Sequence, residues 1–422
     1  MRKKLLYLTS LLSIMLTGCN QITVISENSE PEQNYYIQEI AHLHLEDALD
    51  SLEKQSQNQN NTQDTIRAVW IPVMVYENWM LDKSEAQFRE NIRTAFQNCV
   101  NLGLNTVYLH VRAYADAYYN SSIFPTGIYL NNNYDPLEIM LEEAHALNLS
   151  AHAWINPMRA QTVQQLEKLD TSYILRQWYD NPETNGTYFV NYNDRYYLNP
   201  AYPEVRQLIA DGIAEILENY PVDGIHIDDY FYPTTDSDFD AKAFSESNAT
   251  DLADWRRTNC SEMVKLLYQT TKNYNPDIPF SISPQGNFSI NYEKLYADVK
   301  LWCSETGYCD VMIPQIYYGF ENQTCPFAET ATLWAETATA TDLVIGLGVY
   351  KIGTEDQWAG TGNLEFLTDS SVISKQIEFI SNLENTDGIA LYSYSSIFEP
   401  EQAVSALINA EKNQISELLQ QK

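Results

Sequence analysis

The chain has 422 residues, enough for two average domains or one large α/β barrel, and its 44% hydrophobic content can supply a sizeable core. With 57 acidic against 25 basic residues it carries a formal charge of −32, which argues against nucleic acid or an anionic membrane surface as a partner. Tyrosine is abundant at 30 copies, and its flat apolar face with a polar tip suits a wet, sugar-like ligand or a protein interface.

Residues 1–19 combine a basic start (Arg2, Lys3, Lys4), an apolar run over 5–16 and the ending Leu16-Thr17-Gly18-Cys19. The run is too short to span a bilayer and reads as an export signal. Its ending is similar to the lipobox of bacterial lipoproteins, which implies lipidation of Cys19. The protein is therefore expected in the cell envelope, held to a bacterial membrane through the lipid anchor alone. Residues 20–64 are polar, and 55–63 contain only Gln, Asn, Ser and Thr. Such a stretch buries too little to offset its ordering entropy, so a disordered tether is expected, with a short helix around 37–52. Beyond Cys19, the cysteines are Cys99, Cys260, Cys303, Cys309 and Cys325. An odd number leaves at least one unpaired, and 303, 309 and 325 are the plausible local partners.

From Ile66 onward β-like apolar runs alternate with amphipathic helical patterns. Strands are predicted at 67–73, 105–111, 150–155, 224–228, 279–283, 310–316, 342–349 and 388–392. Helices are predicted between them, including 86–102, 136–147, 203–219, 252–274 and 371–383. Parallel strands need such crossovers, and eight βα units in one run predict a (β/α)8 TIM barrel over 65–410, followed by a C-terminal tail at 411–422. The largest insertion, 158–199, follows the third strand on the active face.

In such barrels the chemistry lies at the C-terminal ends of the strands. Arg112 and Asp116 follow the second strand; His152, Trp154, Asn156 and Arg159 lie at the third; His226, Asp228, Asp229 and Tyr230 at the fourth. Gln285 and Asn287 follow the fifth, and Gln315 and Tyr317 the sixth. Rings that stack on a sugar face, with amides and acids for its hydroxyls, fit a polyhydroxylated ligand. Asp228 and Asp229 stand out. Paired acids at the tip of an apolar strand repel each other and resist desolvation, so a proton-handling pair is the functional reading. The bland alternative gives one acid a helix cap and the other a loop to anchor. His110, His152 and His226 lie on neighbouring strands, but none belongs to a His-X-His pair or a His-Glu-X-X-His helix. No metal or other cofactor is expected; the histidines are read as orienting groups, His226 sharing a strand face with Asp228.

Seven motifs in barrel order carry a resemblance: Arg-Ala-Val-Trp-Ile (67–71), Val-Tyr-Leu-His-Val-Arg-Ala-Tyr-Ala-Asp-Ala-Tyr-Tyr (107–119), His-Ala-Trp-Ile-Asn-Pro-Met-Arg (152–159), Leu-Asn-Pro-Ala-Tyr-Pro-Glu-Val-Arg (198–206), Asp-Gly-Ile-His-Ile-Asp-Asp-Tyr-Phe-Tyr-Pro (223–233), Ser-Ile-Ser-Pro-Gln-Gly-Asn (281–287) and Pro-Gln-Ile-Tyr-Tyr (314–318). Together they resemble a family of bacterial glycosyl-hydrolase-like proteins once filed as a domain of unknown function. One member is an outer-membrane lipoprotein that hydrolyses peptidoglycan glycans lacking stem peptides. The resemblance implies site roles for Arg112, Asp116, His152, Asn156, Arg159, Asn199, Asp228, Asp229, Tyr230, Gln285, Asn287, Gln315 and Tyr317. Where the family usually has glycine before Asp116, this chain has Ala115. The 223–230 run also resembles that of chitinases, but their terminal glutamate is replaced by Tyr230. A second catalytic carboxyl group is thus left open among Asp229, Asp116, Asp310, Glu321 and Glu399, with the substrate's own acetamido group as a further choice. The expected protein is a glycoside hydrolase of a cell-wall amino-sugar polymer, with Arg112 and Arg159 meeting a substrate carboxylate. A glycan-binding lipoprotein that does not cut is the rival.

Overall fold

The computed structural model describes residues 65–420. The expected signal peptide, Cys19, the polar segment 20–64 with its short helix, and the last two residues lie outside the described residues. All eight expected strands form: Ile66–Ile71 (β1), Thr106–Arg112 (β2), Ser150–Ile155 (β3), Gly224–Ile227 (β7), Phe280–Ile282 (β8), Val311–Met312 (β9), Asp342–Gly348 (β10) and Gly388–Tyr392 (β11). They close into a parallel barrel in which β7 follows β3 and Ile66 pairs with Gly388 to complete the ring. The insertion after β3 folds as a separate three-stranded antiparallel sheet of Arg159–Thr162 (β4), Phe189–Tyr192 (β5) and Arg195–Leu198 (β6).

Two-residue alternation sorts the strand residues into two cores. Ala68, Trp70, Tyr108, Trp154, Val311, Ile313, Val344 and Ala390 fill the barrel. Their neighbours, such as Val69, Leu109, Ala153 and Ile225, face outward and join the larger core under the helices. The helices start and stop on local chemistry. Ser84 and Gln87 form a reciprocal capping box at the start of Glu85–Leu102, and Gly103 ends that helix at φ 96°. Helix Ser405–Gln420 occupies most of the segment expected as a tail; it buries Ile408, Glu411, Ile415 and Leu419 and packs against Glu85–Leu102 and Val372–Ile380. Among the described residues no helix is long and apolar enough to cross a membrane, and the five cysteines are free.

At one place the alternation breaks. The pairing of β2 with β3 shifts register between His110 and Arg112. A bulge re-aims the side chains beyond it, and Arg112 enters the helix layer, where its guanidinium lies 4.5 Å over the Phe124 ring. Helix Pro203–Asn219 presents Gly212 there, and a Cβ at that position would stand 1.9 Å from Arg112 Nη1. Just past the bulge, Ala115 takes φ 49°, the left-handed conformation that glycine adopts at less cost.

Candidate active site

A cavity of about 830 Å³ opens at the C-terminal ends of the strands, with Asp228 and Asp229 in its lining. Adjacent residues on a strand point to opposite faces, but β7 stops at Ile227 and the chain bends through 228–230, so both carboxyl groups reach the same space. Asp228 is 2% exposed. Its Oδ2 accepts the indole N–H of Trp154 at 3.1 Å and its Oδ1 the backbone N–H of Tyr230 at 3.2 Å. Asp229 is half-buried and accepts a hydrogen bond from the Gln285 amide.

Burial first, and then the neighbouring charge of Asp229, hold the Asp228 carboxyl well above the ordinary carboxylate range, against the opposing pull of its N–H donors and Arg159. Burial also raises Asp229, a rise that donors from Gln285 and Gln315 and the charge of Arg159 oppose. The pair is therefore unequal. Asp228 keeps a proton more readily, and Asp229 is the better carboxylate.

Of the other expected site residues, Trp154, Arg159, Tyr230, Gln285, Asn287, Gln315 and Tyr317 line this cavity. Trp154 stacks on His110 at 3.7 Å, which aims its N–H at Asp228. Gln315 donates to the Ser283 carbonyl at 2.9 Å, and Asn287 caps the helix Phe288–Glu293 while its amide reaches Cys325 Sγ at 3.2 Å. Arg159 lies 4.3 Å over Tyr230 and 5.0 Å over Tyr114, and Arg195 lies 4.2 Å over Tyr114. Arg159 makes no ion pair with a carboxylate among the described residues, and its Nε is buried without a hydrogen-bond partner.

Six expected site residues stand away from the cavity lining. Arg112 is turned out by the bulge and donates to the Ile209 carbonyl at 3.4 Å. Asp116 turns back into its own loop and accepts the N–H groups of Ala113 and Tyr114 at 3.0 and 2.9 Å. Asn156 donates to the Ala113 carbonyl at 3.0 Å, tying β3 to that same loop. His152 and His226 lie deeper in the barrel. His152 bonds Ser150 Oγ at 3.0 Å against Gly224, where a Cβ would meet its ring at 2.3 Å. His226 Nε2 accepts from the Trp70 indole at 2.9 Å, and its Nδ1 meets Ser281 Oγ at 2.8 Å. Burial lowers the pKa of His110 to about 3, of His152 to about 4 and of His226 well below the usual value, so all three are neutral. Among the described residues no group of three His, Cys, Asp or Glu side chains is arranged to hold a metal ion. Asn199, also implied by the family motifs, is fully buried and donates to the Thr187 carbonyl at 3.0 Å.

The other candidate acids do not join the pair. Asp310 precedes β9, at the opposite end of the barrel, where it meets Lys272 at 2.7 Å; Glu399 accepts from Trp79 at 3.0 Å, and Glu321 is outside the lining. The cavity does contain one carboxylate that strand-end reasoning missed, Asp356, paired with Lys351 at 2.6 Å. It and Trp358 belong to the long loop after β10, and the signal was an acid and an indole two residues apart in an active-face loop.

The sequence model of the family described as "Glycosyl hydrolase-like 10" matches residues 65–360. The chain is 32% identical over 320 residues to glycosyl hydrolase YngK of Bacillus subtilis (strain 168), an alignment that spans 68% of this chain and 61% of that relative. It is 31% identical over 347 residues to glycosyl hydrolase DigH of Escherichia coli (strain K12), spanning 72% of this chain and 76% of the relative. Among solved structures, the PgaB (BpsB) glycoside hydrolase domain from Bordetella bronchiseptica aligns with a TM-score of 0.54 at 12% identity, over 83% of this chain and 98% of that one, a likeness of fold.

Proposed function

The chain belongs to the glycosyl hydrolase-like 10 family, which classes it with the glycoside hydrolases, and on that premise we propose that it cleaves an N-acetylated amino-sugar polymer of the bacterial cell wall. The observation that carries the reading is the unequal pair Asp228 and Asp229, side by side in a cavity whose remaining carboxylate, Asp356, is occupied by Lys351.

Glycoside hydrolysis needs a proton for the leaving oxygen and a nucleophile at C1 on the other side of the sugar ring. Asp228 supplies the proton. Neighbouring residues at one strand end do not straddle a ring, so a 2-acetamido group on the substrate fits the nucleophile's role. Its carbonyl oxygen attacks C1 as the C1–O bond breaks, and the Asp229 carboxylate accepts the acetamido N–H and spreads the positive charge. Water then adds at C1, its proton returns to Asp228, and the acetamido group is released. Arg159 supports the choice of polymer: a guanidinium with no ion-pair partner among the described residues, in an acidic chain, suits a substrate carboxylate, such as the lactyl group of a peptide-free muramic acid residue. The export signal and Cys19 support an address in the cell envelope, with the lipid as anchor.

The test is to incubate the protein with peptide-free peptidoglycan glycan, before and after chemical removal of its acetyl groups, and count new reducing ends. Cleavage of the acetylated polymer alone is expected. Equal cleavage of both would overturn participation of the acetamido group, and tight binding with no new ends would make the protein a glycan binder.

A further inference from the structure

Trp358 is 79% exposed, the most exposed of the large apolar side chains among the described residues. It stands at the mouth of the cavity, where Tyr350 and Met74, 46% and 55% exposed, also contribute to the lining. An indole left in water on a soft loop would carry little meaning, but this loop is fixed. Asp356, only 6% exposed, accepts the Trp358 backbone N–H at 3.2 Å on one oxygen and Lys351 Nζ at 2.6 Å on the other. The Asp356 N–H donates to the Asn363 carbonyl at 2.9 Å, and the Ala359 carbonyl accepts from Gln323 in the loop after β9 at 3.0 Å. A largely buried ion pair and cross-loop bonds thus hold a bare ring in place.

We propose that Trp358 is a stacking platform for a sugar unit beyond the one being cleaved, so that the site favours long chains over short oligomers. The proposal rests on the glycan reading above and extends it to chain length. A flat ring with no polar group of its own except one N–H binds the C–H face of a pyranose and tolerates different substituents, as a polymer of alternating units requires. The reacting unit has its own aromatic neighbours deeper down, Tyr317 and Tyr392, whose ring centroids lie 5.7 Å apart. Trp358 is therefore free to serve a more distant unit, and its contribution grows only when the chain is long enough to reach the rim.

The experiment uses Trp358→Ala and Trp358→Phe on a ladder of N-acetylated amino-sugar oligomers of increasing length, with melting temperature as a check on folding. For Trp358→Ala, kcat/KM is expected to fall by about tenfold on the longest chains and by less than about twofold on the shortest cleavable one, through KM, with Trp358→Phe between. An equal loss at every length, or none at any length, would overturn the platform. If the wild type cuts no member of the ladder, the hydrolase reading fails separately. Affinity of Asp228→Asn protein for the same ladder, with and without Trp358→Ala, then decides: affinity that climbs with length only when Trp358 is present supports the platform, and a flat series overturns it.

Discussion

Replacing Asp116 by asparagine separates the loop-anchor role seen in the structure from the substrate-binding role expected of this residue. Asp116 is 2% exposed, and burial raises its carboxyl to about 6 from the ordinary 3.8, despite backbone N–H donors and the nearby Arg112. A carboxyl whose folded pKa is raised contributes stability that is fully present below its unfolded pKa and is lost as pH rises through the folded one. For this shift the full loss is about 3 kcal/mol, about 2 kcal/mol of it between pH 4.5 and pH 8. Asparagine retains a carbonyl for the Ala113 and Tyr114 N–H groups but has no charge to bury. Denaturant unfolding of parent and Asp116→Asn protein at the two pH values is therefore expected to show the variant gaining about 2 kcal/mol on the parent as pH rises. Asp116 is also away from the cavity lining, so glycan cleavage is expected to change by less than about threefold. A stability difference that is flat in pH would refute the burial argument, and loss of cleavage in a folded variant would return Asp116 to the site.

Asp228→Asn and Asp229→Asn are each expected to lower turnover by about 10² or more while melting no lower than the parent, since neither removes an ionised group that the fold depends on. In the parent, the raised pKa of Asp228 is expected to appear as an alkaline limb of kcat/KM at a pH above the ordinary carboxylate range, and the acidic limb reports the pair's first ionisation. Arg159→Gln is expected to slow cleavage of peptide-free peptidoglycan glycan far more than that of a neutral chitin oligomer of equal length; equal losses would confine Arg159 to supporting the acids. Cys19→Ala is expected to move the protein from the membrane fraction to a soluble or unprocessed form, checked by fractionation with a lipid label, and an unlabelled parent found in the medium would refute lipidation.

The strands were legible because each is a short apolar run between turn signals, and the cavity residues Trp154, Asp228, Gln315 and Tyr317 because they sit at or just beyond a strand end on the inward side. Arg112 shows where that reasoning stops. Two-residue alternation places it beside His110, but a one-residue bulge turns it outward, and Gly212 on a helix a hundred residues away makes room for it. His152 and His226 point inward as expected, but alternation gives direction and not depth, and both belong to a lower layer. Asp356 and Trp358 lay beyond the reach of strand-end reasoning because a loop's own hydrogen bonds, and not strand geometry, bring them to the mouth.

The filled barrel beneath the acids has a consequence for timing. Trp70, Tyr108 and the neutral His226 plug the interior below Asp228, with the Trp70 indole already committed to His226. Among the described residues these side chains fill the barrel beneath the acid, so on the proposed mechanism its exchange with solvent runs through the mouth of the cavity. On that mechanism the cycle is self-sufficient while a chain is seated: the proton given to the departing sugar is replaced by the one shed from the incoming water. Turnover on long chains is then expected to be indifferent to buffer concentration.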